Sequence, residues 1–220
     1  MCASRSAGQG WRGDRERQPL SSLRPPRDDG QTRLSLELYL ARHGETEWSK
    51  AGRHTGSTDL PLTADGEAKA AALRRRLASI HFDIVYASPM QRARRTAELA
   101  GFPSPQITDL LKEVDYGDYE GLTSDQIHEA NPSWEVYSDG SPGGETPAQI
   151  YARAQQFIAL VGRSGGRVLA FAHGHILRAV GAAWIRADLH IATGLMLDVA
   201  TVCVLRDDGH RLVNLWNSPP

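Results

Sequence analysis

Apolar and polar residues alternate from Leu34 to Ala41, with leucine at 34, 36, 38 and 40, the period of a half-buried strand. The run ends in Arg42-His43-Gly44, and residues 44–62 are polar and rich in Gly and Thr, hence loop. A helical pattern starts at Thr63 and continues to about Ile80, filled by Ala64, Ala68, Ala71, Ala72 and Leu73. Asp83–Ala87 is a short apolar strand. Ser88-Pro89 closes it and opens a helix to about Ala100, since the missing N–H of proline costs nothing in a first turn. Ile107–Leu111 predicts a third strand. Residues 112–147 hold no long period, only a short helix near Ser124–Ala130. Thr146-Pro147 introduces a helix to about Val161, Val168–Ala172 reads as a strand, and Ile176–Ile185 as a helix. Val199–Leu205 and Arg211–Trp216 form a closing pair joined at Asp208-Gly209.

Strands separated by helices of crossover length predict an α/β fold, with a mostly parallel sheet and helices on both faces. Residues 34–216 are expected to form one domain, with 112–147 as a small lid-like insertion and 217–220 as a C-terminal tail. Composition changes the picture at the N-terminus. Residues 1–33 carry seven arginines against four acidic residues, with few apolar ones. Such a segment cannot bury enough to order itself and is expected to be a disordered tail. No apolar run of signal-peptide length follows its arginines.

The formal net charge is -1, which gives no reason to expect nucleic acid or an anionic membrane as partner. No stretch is apolar enough for a membrane span. The two cysteines, Cys2 and Cys203, do not suggest a structural disulfide, which fits a reducing, cytoplasmic setting.

Three predicted strands end in polar residues of unusual kind: Arg42-His43-Gly44, Ser88-Pro89 before Arg92 and Arg95, and His173-Gly174. In a sheet covered on both faces, sites form beyond the carboxyl ends of the strands. Converging there, two histidines and two arginines would suit a phosphate. Arginine binds its oxygens bidentately and stays charged. A neutral histidine can attack phosphorus and split one displacement into two. Gly44 and Gly174 would let the backbone approach an anion. Arg92, four residues after Ser88, can point back to the strand end, whereas Arg94 faces elsewhere. His173 is free to carry charge beside phosphate. Ester cleavage also needs a proton donor, and Glu113, Asp115, Asp118 and Glu120 are candidates, Glu113 first because it follows the third strand. His173 and His175 stand two apart, but no third ligand with metal spacing accompanies them, so neither metal nor other cofactor is expected.

These residues resemble the histidine phosphatase superfamily, the branch with the cofactor-dependent phosphoglycerate mutases. Four blocks carry the likeness in order: Arg42-His43-Gly44-Glu45-Thr46, Gly52–Thr63, Ser88–Ala97 and Ala172-His173-Gly174-His175. The resemblance implies a phosphoglycerate mutase-like fold with one antiparallel edge strand. It implies His43 as nucleophile, Arg42, Arg92, His173 and Gly174 around the phosphate, Glu113 as proton donor, and Ser49 and Arg53 on the substrate side. It also implies a metal-independent phosphomonoesterase acting on a small phosphorylated metabolite, a sugar or glycerate phosphate.

Tyr116–Leu122, Trp134–Gly140 and Gly143–Thr146 are similar to bacterial acid phosphatases once called mutases, and to fungal sedoheptulose-1,7-bisphosphatase. A sugar bisphosphatase is therefore a second reading. Mutase activity is a third. Against it, no Arg-Arg pair lies between Glu113 and His173, and Ser49 stands where mutases place Asn. A non-catalytic binding module is a fourth, disfavoured because every reactive residue is kept. His54 is a further candidate for substrate contact. His81, His128, His190 and His210 read as surface residues, and the strand near 211–216 could pair across a homodimer.

Overall fold

The computed structural model describes residues 35–220, so the expected tail over 1–33 lies outside the described residues. Strand β1 (Leu36–Arg42) divides its side chains between two hydrophobic layers. Leu36, Leu38 and Leu40 enter one, Tyr39 and Ala41 the other. A short helix α1 (Glu47–Lys50) follows, closed by a reciprocal Thr46–Ser49 capping box inside the span expected to be loop. Helix α2 (Ala64–Leu77) begins where its N-cap Thr63 accepts the Gly66 N–H. Asp65 and Glu67 sit at its positive end and Arg74, Arg75 and Arg76 at its negative end, complementing the dipole.

Next come β2 (Ile84–Ala87), α3 (Gln91–Leu99) and β3 (Gln106–Ile107). The third strand expected over Ile107–Leu111 is thus corrected to two paired residues. Thr108 instead accepts the Leu110 N–H and turns Asp109–Leu111 into a 3-10 helix, because local capping competes with the ladder. Then follow α4 (Ser124–Ala130), α5 (Val136–Asp139) and α6 (Pro147–Gly162), the last with a Thr146–Gln149 capping box and proline in its first turn. The chain closes with β4 (Gly166–Ala172), α7 (Gly174–Trp184), a 3-10 segment Leu189–Gly194, β5 (Val202–Asp207) and β6 (Arg211–Ser218). Strand β6 runs two residues past the expected boundary at 216, since Ser218 still pairs with Val202.

The sheet order is β3-β2-β4-β1-β5-β6. The first four are parallel; β5 runs against β1, and β6 against β5 at the edge. One face is covered by α2 and α3, with Leu73, Leu77 and Ala97 packed on Leu169, Phe171 and Val202. The other is covered by α6 and α7, with Ile150, Phe157, Ile176 and Val180 packed on Leu38, Leu40, Val168 and Ala170. The 112–147 insertion joins this second layer, burying Val114, Tyr116, Ile127, Trp134, Val136 and Tyr137. Among the described residues no helix is long and apolar enough to cross a membrane.

Register sets the site. Arg42 pairs with Ala172, and Ala87 with Phe171, so β1, β4 and β2 end level. The His43 N–H reaches Ala172 O at 2.9 Å and the Ser88 N–H reaches Phe171 O at 2.9 Å. Residues 42–44, 88–92 and 172–175 thereby meet at one edge of the sheet.

Candidate active site

His43 and His173 face each other with ring centroids 5.1 Å apart, and both are buried. His43 Nδ1 lies 2.7 Å from Gly44 O. A carbonyl can only accept, so Nδ1 is assigned the proton and Nε2 keeps a bare lone pair. Burial, with Arg42 and Arg92 nearby, holds the His43 pKa well below its ordinary 6.5, against the weaker pull of the Gly44 carbonyl. The ring is therefore neutral at neutral pH.

His173 is fixed by two partners. The Arg92 Nε–H donates to its Nδ1 at 3.0 Å, which forces the proton onto Nε2, 2.8 Å from Ser88 Oγ. Burial, Arg92, His43 and Arg42 all lower its pKa well below 6.5. His173 is thus a neutral imidazole, not the cation that the sequence allowed, because a guanidinium occupies the nitrogen that would take the second proton. Ser88 also accepts the Met90 N–H at 3.3 Å. This serine was readable only as the end of a strand.

Arg92 is wholly buried. Besides His173 it donates to Thr58 O at 2.9 Å, Thr55 O at 3.0 Å and Gly56 O at 3.1 Å. From the other side, Glu120 accepts the N–H groups of Gly56 and Thr58 at about 3 Å. The 55–58 loop is therefore clamped between a cation on its carbonyls and an anion on its amides. Arg42 donates through Nη1 to Leu197 O, while its buried Nε has no partner. Burial lowers the pKa of both arginines, and Glu113 is the largest opposing charge on each.

The glycines also make room within the protein. A Cβ at Gly174 would lie 3.3 Å from Arg42 Cζ and Nε, so the missing side chain makes room for the arginine. A Cβ at Gly44 would meet Gly66 O at 2.4 Å, and one at Gly66 would meet Glu45 O at 2.1 Å. Gly44 is thus required by the crossing of its loop over the start of α2. Its N–H is held by Thr96 Oγ1 at 3.0 Å, a second contact that sequence did not disclose.

Glu113 is buried at the start of α7. Its carboxylate accepts from Ile176 N at 2.8 Å, His175 N at 3.0 Å and its neighbour Val114 N at 3.0 Å. It satisfies two of the first-turn amides that His173, the N-cap without a side-chain cap bond, leaves open. His175 Nδ1 lies 2.6 Å from Tyr116 Oη, whereas both ring nitrogens of His173 are taken by Arg92 and Ser88. The two histidines are therefore not a metal pair. Among the described residues, no group of three or more His, Cys, Asp or Glu could hold a metal ion.

Ser49 spends its hydroxyl in the α1 capping box, though it lines a cleft of about 600 Å³ with Arg42, Lys69, Asp198 and Asn217. Arg95 lies in another cleft, between Pro61, Arg94 and Ile107, where it pairs with Glu67 and Glu98, and no other candidate residue lines that cleft. Arg53 is exposed and donates to Gly121 O at 2.8 Å. His54 is half-buried against Tyr116, Trp134 and His175, with centroids 4.8, 5.3 and 5.8 Å away. Burial lowers its pKa to about 4. His128 is not a plain surface residue: it is half-buried, with Nε2 3.0 Å from Trp134 O.

A profile of the histidine phosphatase superfamily (branch 1) matches residues 38–219. An acid phosphatase of Mycobacterium tuberculosis is 42% identical over 169 residues, covering 75% of this chain and 83% of that protein. The sedoheptulose 1,7-bisphosphatase of Saccharomyces cerevisiae is 36% identical over 215 residues, covering 83% of this chain and 79% of its own. The solved structure of an open reading frame product from Mycobacterium tuberculosis superposes with a TM-score of 0.80 at 39% identity, covering 83% of this chain and 97% of that one.

Proposed function

The chain belongs to the histidine phosphatase superfamily and is a phosphoric monoester hydrolase acting on small phosphorylated metabolites, and from that premise we propose that His43 is its nucleophile and that its substrate is a sugar or glycerate phosphate. The observation that carries this reading is a neutral imidazole with a bare Nε2, 5.1 Å from a second neutral imidazole and flanked by two buried guanidiniums.

In the first step, the His43 Nε2 lone pair forms the P–N bond as the ester P–O bond breaks. The leaving oxygen takes the proton of the Glu113 carboxyl, giving a free alcohol. In the second, water attacks phosphorus, its proton passes to the Glu113 carboxylate, and the P–N bond breaks. Inorganic phosphate leaves, and both residues return to their starting states. Arg42 and Arg92 would bear the charge on the equatorial oxygens, and the His173 Nε2–H would join them by exchanging Ser88 Oγ for a phosphate oxygen, so the step draws on no metal ion. Ser49 and Arg53 would meet the alcohol part of the ester.

A panel of sugar monophosphates, sugar bisphosphates and phosphoglycerates tests the substrate class. Phosphate release from a sugar or glycerate ester, lost by about 1,000-fold or more in His43→Ala, is the expected result. Isomerisation of phosphoglycerate that greatly outpaces phosphate release would make the chain a mutase instead.

A further inference from the structure

The segment carrying Glu113 hangs from one side chain on another element. Arg153, on α6, donates through Nη1 to Lys112 O at 2.6 Å and Leu110 O at 3.2 Å, and through Nη2 to Glu113 O at 3.3 Å. Its remaining face is gripped by Glu145, with Nε 2.8 Å from Oε1 and Nη2 2.6 Å from Oε2. Glu145 also accepts the Asp115 N–H at 3.0 Å, and its own N–H donates to Asp115 O at 2.9 Å. The pair is mostly buried, with side chains 15% and 18% exposed. Acceptors at 110, 112 and 113 and a donor at 115 thus converge on one ion pair.

Neither Arg153 nor Glu145 is among the groups meeting His43, yet together they fix the main chain on both sides of Glu113. The Glu113 side chain has little freedom left, since the α7 amides hold its carboxylate. A shift of the 110–115 main chain would therefore draw the carboxylate off those amides and displace it. A planar fork reaches three carbonyls and a carboxylate at once; an ammonium cannot.

We propose that Arg153 and Glu145 are positioning residues that set the place of the Glu113 carboxyl as proton donor. This rests on the proton-donor role given to Glu113 above.

The dependence on leaving group tests it. An alkoxide leaving group needs a proton, whereas 2,4-dinitrophenolate departs without one. Arg153→Met and Glu145→Gln should each lower kcat/KM, which reports formation of the phosphohistidine, with glycerol phosphate by about tenfold or more, and change kcat/KM with 2,4-dinitrophenyl phosphate by less than about threefold. The double variant should lose no more than the worse single one, since the two act as a unit. Glu113→Gln is the control, and should show the same selectivity more strongly. Equal loss on both substrates in Arg153→Met and Glu145→Gln, with a selective loss in Glu113→Gln, overturns the positioning role alone. No selectivity in Glu113→Gln overturns the proton-donor reading beneath it. Glu145→Gln keeps the size of the side chain, so a misfolded Arg153→Met would still leave one variant to decide the matter.

Discussion

At the scale of single residues, the site is a set of enforced protonation states. His43 must shed no proton before attack, because Gly44 O holds the one on Nδ1 and burial opposes a second. Arg92 does three things with one guanidinium: it orients His173, gathers the carbonyls of residues 55–58, and brings positive charge. Lysine could keep the charge but not the fork. Arg92→Lys should therefore lower kcat/KM by about 100-fold and stability by about 2–4 kcal/mol, read by steady-state kinetics and urea titration. Wild-type kinetics in that variant would remove Arg92 from the site. Arg42, His43, Arg92 and His173 were legible as residue types at strand ends. Ser88 and Thr96 were not: their partners lie 85 and 52 positions away, and nothing local marks a serine or threonine that will meet a histidine or a glycine amide.

At the scale of elements, the starts of two helices carry the design. Glu113 supplies acceptors to the first turn of α7, so Glu113→Ala should cost about 1–3 kcal/mol in stability besides its effect on chemistry. Glu113→Gln, which keeps one oxygen acceptor, should cost less, and denaturant midpoints would separate the two. At α2 the constraint is backbone contact. Gly66→Ala would drive a Cβ to 2.1 Å from Glu45 O, so it should destabilise by about 2–4 kcal/mol or shift the His43 loop. An unchanged melting temperature with unchanged activity would mean the loop yields freely. The periodic elements were readable because alternation and capping are local: Thr63, Thr123 and Thr146 each cap the helix expected after them. The failure at Ile107–Leu111 was also local, since Ile107 is 50% exposed and Thr108 turned the chain before a ladder could extend. The short helices α1 and α5 carry too few residues to show a period.

At the scale of the whole molecule, level strand ends and two covered faces bring distant segments into one buried cationic site. The 112–147 segment resembled a lid on composition, but its apolar residues belong to the core; they sit singly, without period, and share their cluster with residues of α6 and α7 far along the chain, so nothing local marks them. Burial has a further consequence. His43, His54, His173 and His175 all titrate below 6.5 in the folded chain, His54 at about 4. Below pH 6.5 the unfolded chain protonates these histidines while the folded one does not, so the unfolded state binds more protons. Stability is then fully present above about pH 7.5 and lost as pH falls through 6.5 and lower. Each neutral histidine contributes about 1.4 kcal/mol per pH unit. Urea unfolding at pH 7.5 and pH 5.5 measures this, and a His54→Phe variant should show a shallower decline. Equal stability at the two pH values would contradict the burial of these rings.

The most direct test of the account is to stop the enzyme during turnover of an aryl phosphate, under alkaline conditions that preserve phosphohistidine, and map the adduct by mass spectrometry. The phosphoryl group should lie on His43 Nε2, and neither adduct nor turnover should survive in His43→Ala. A phosphoryl group on any other residue, or undiminished turnover in that variant, would contradict it.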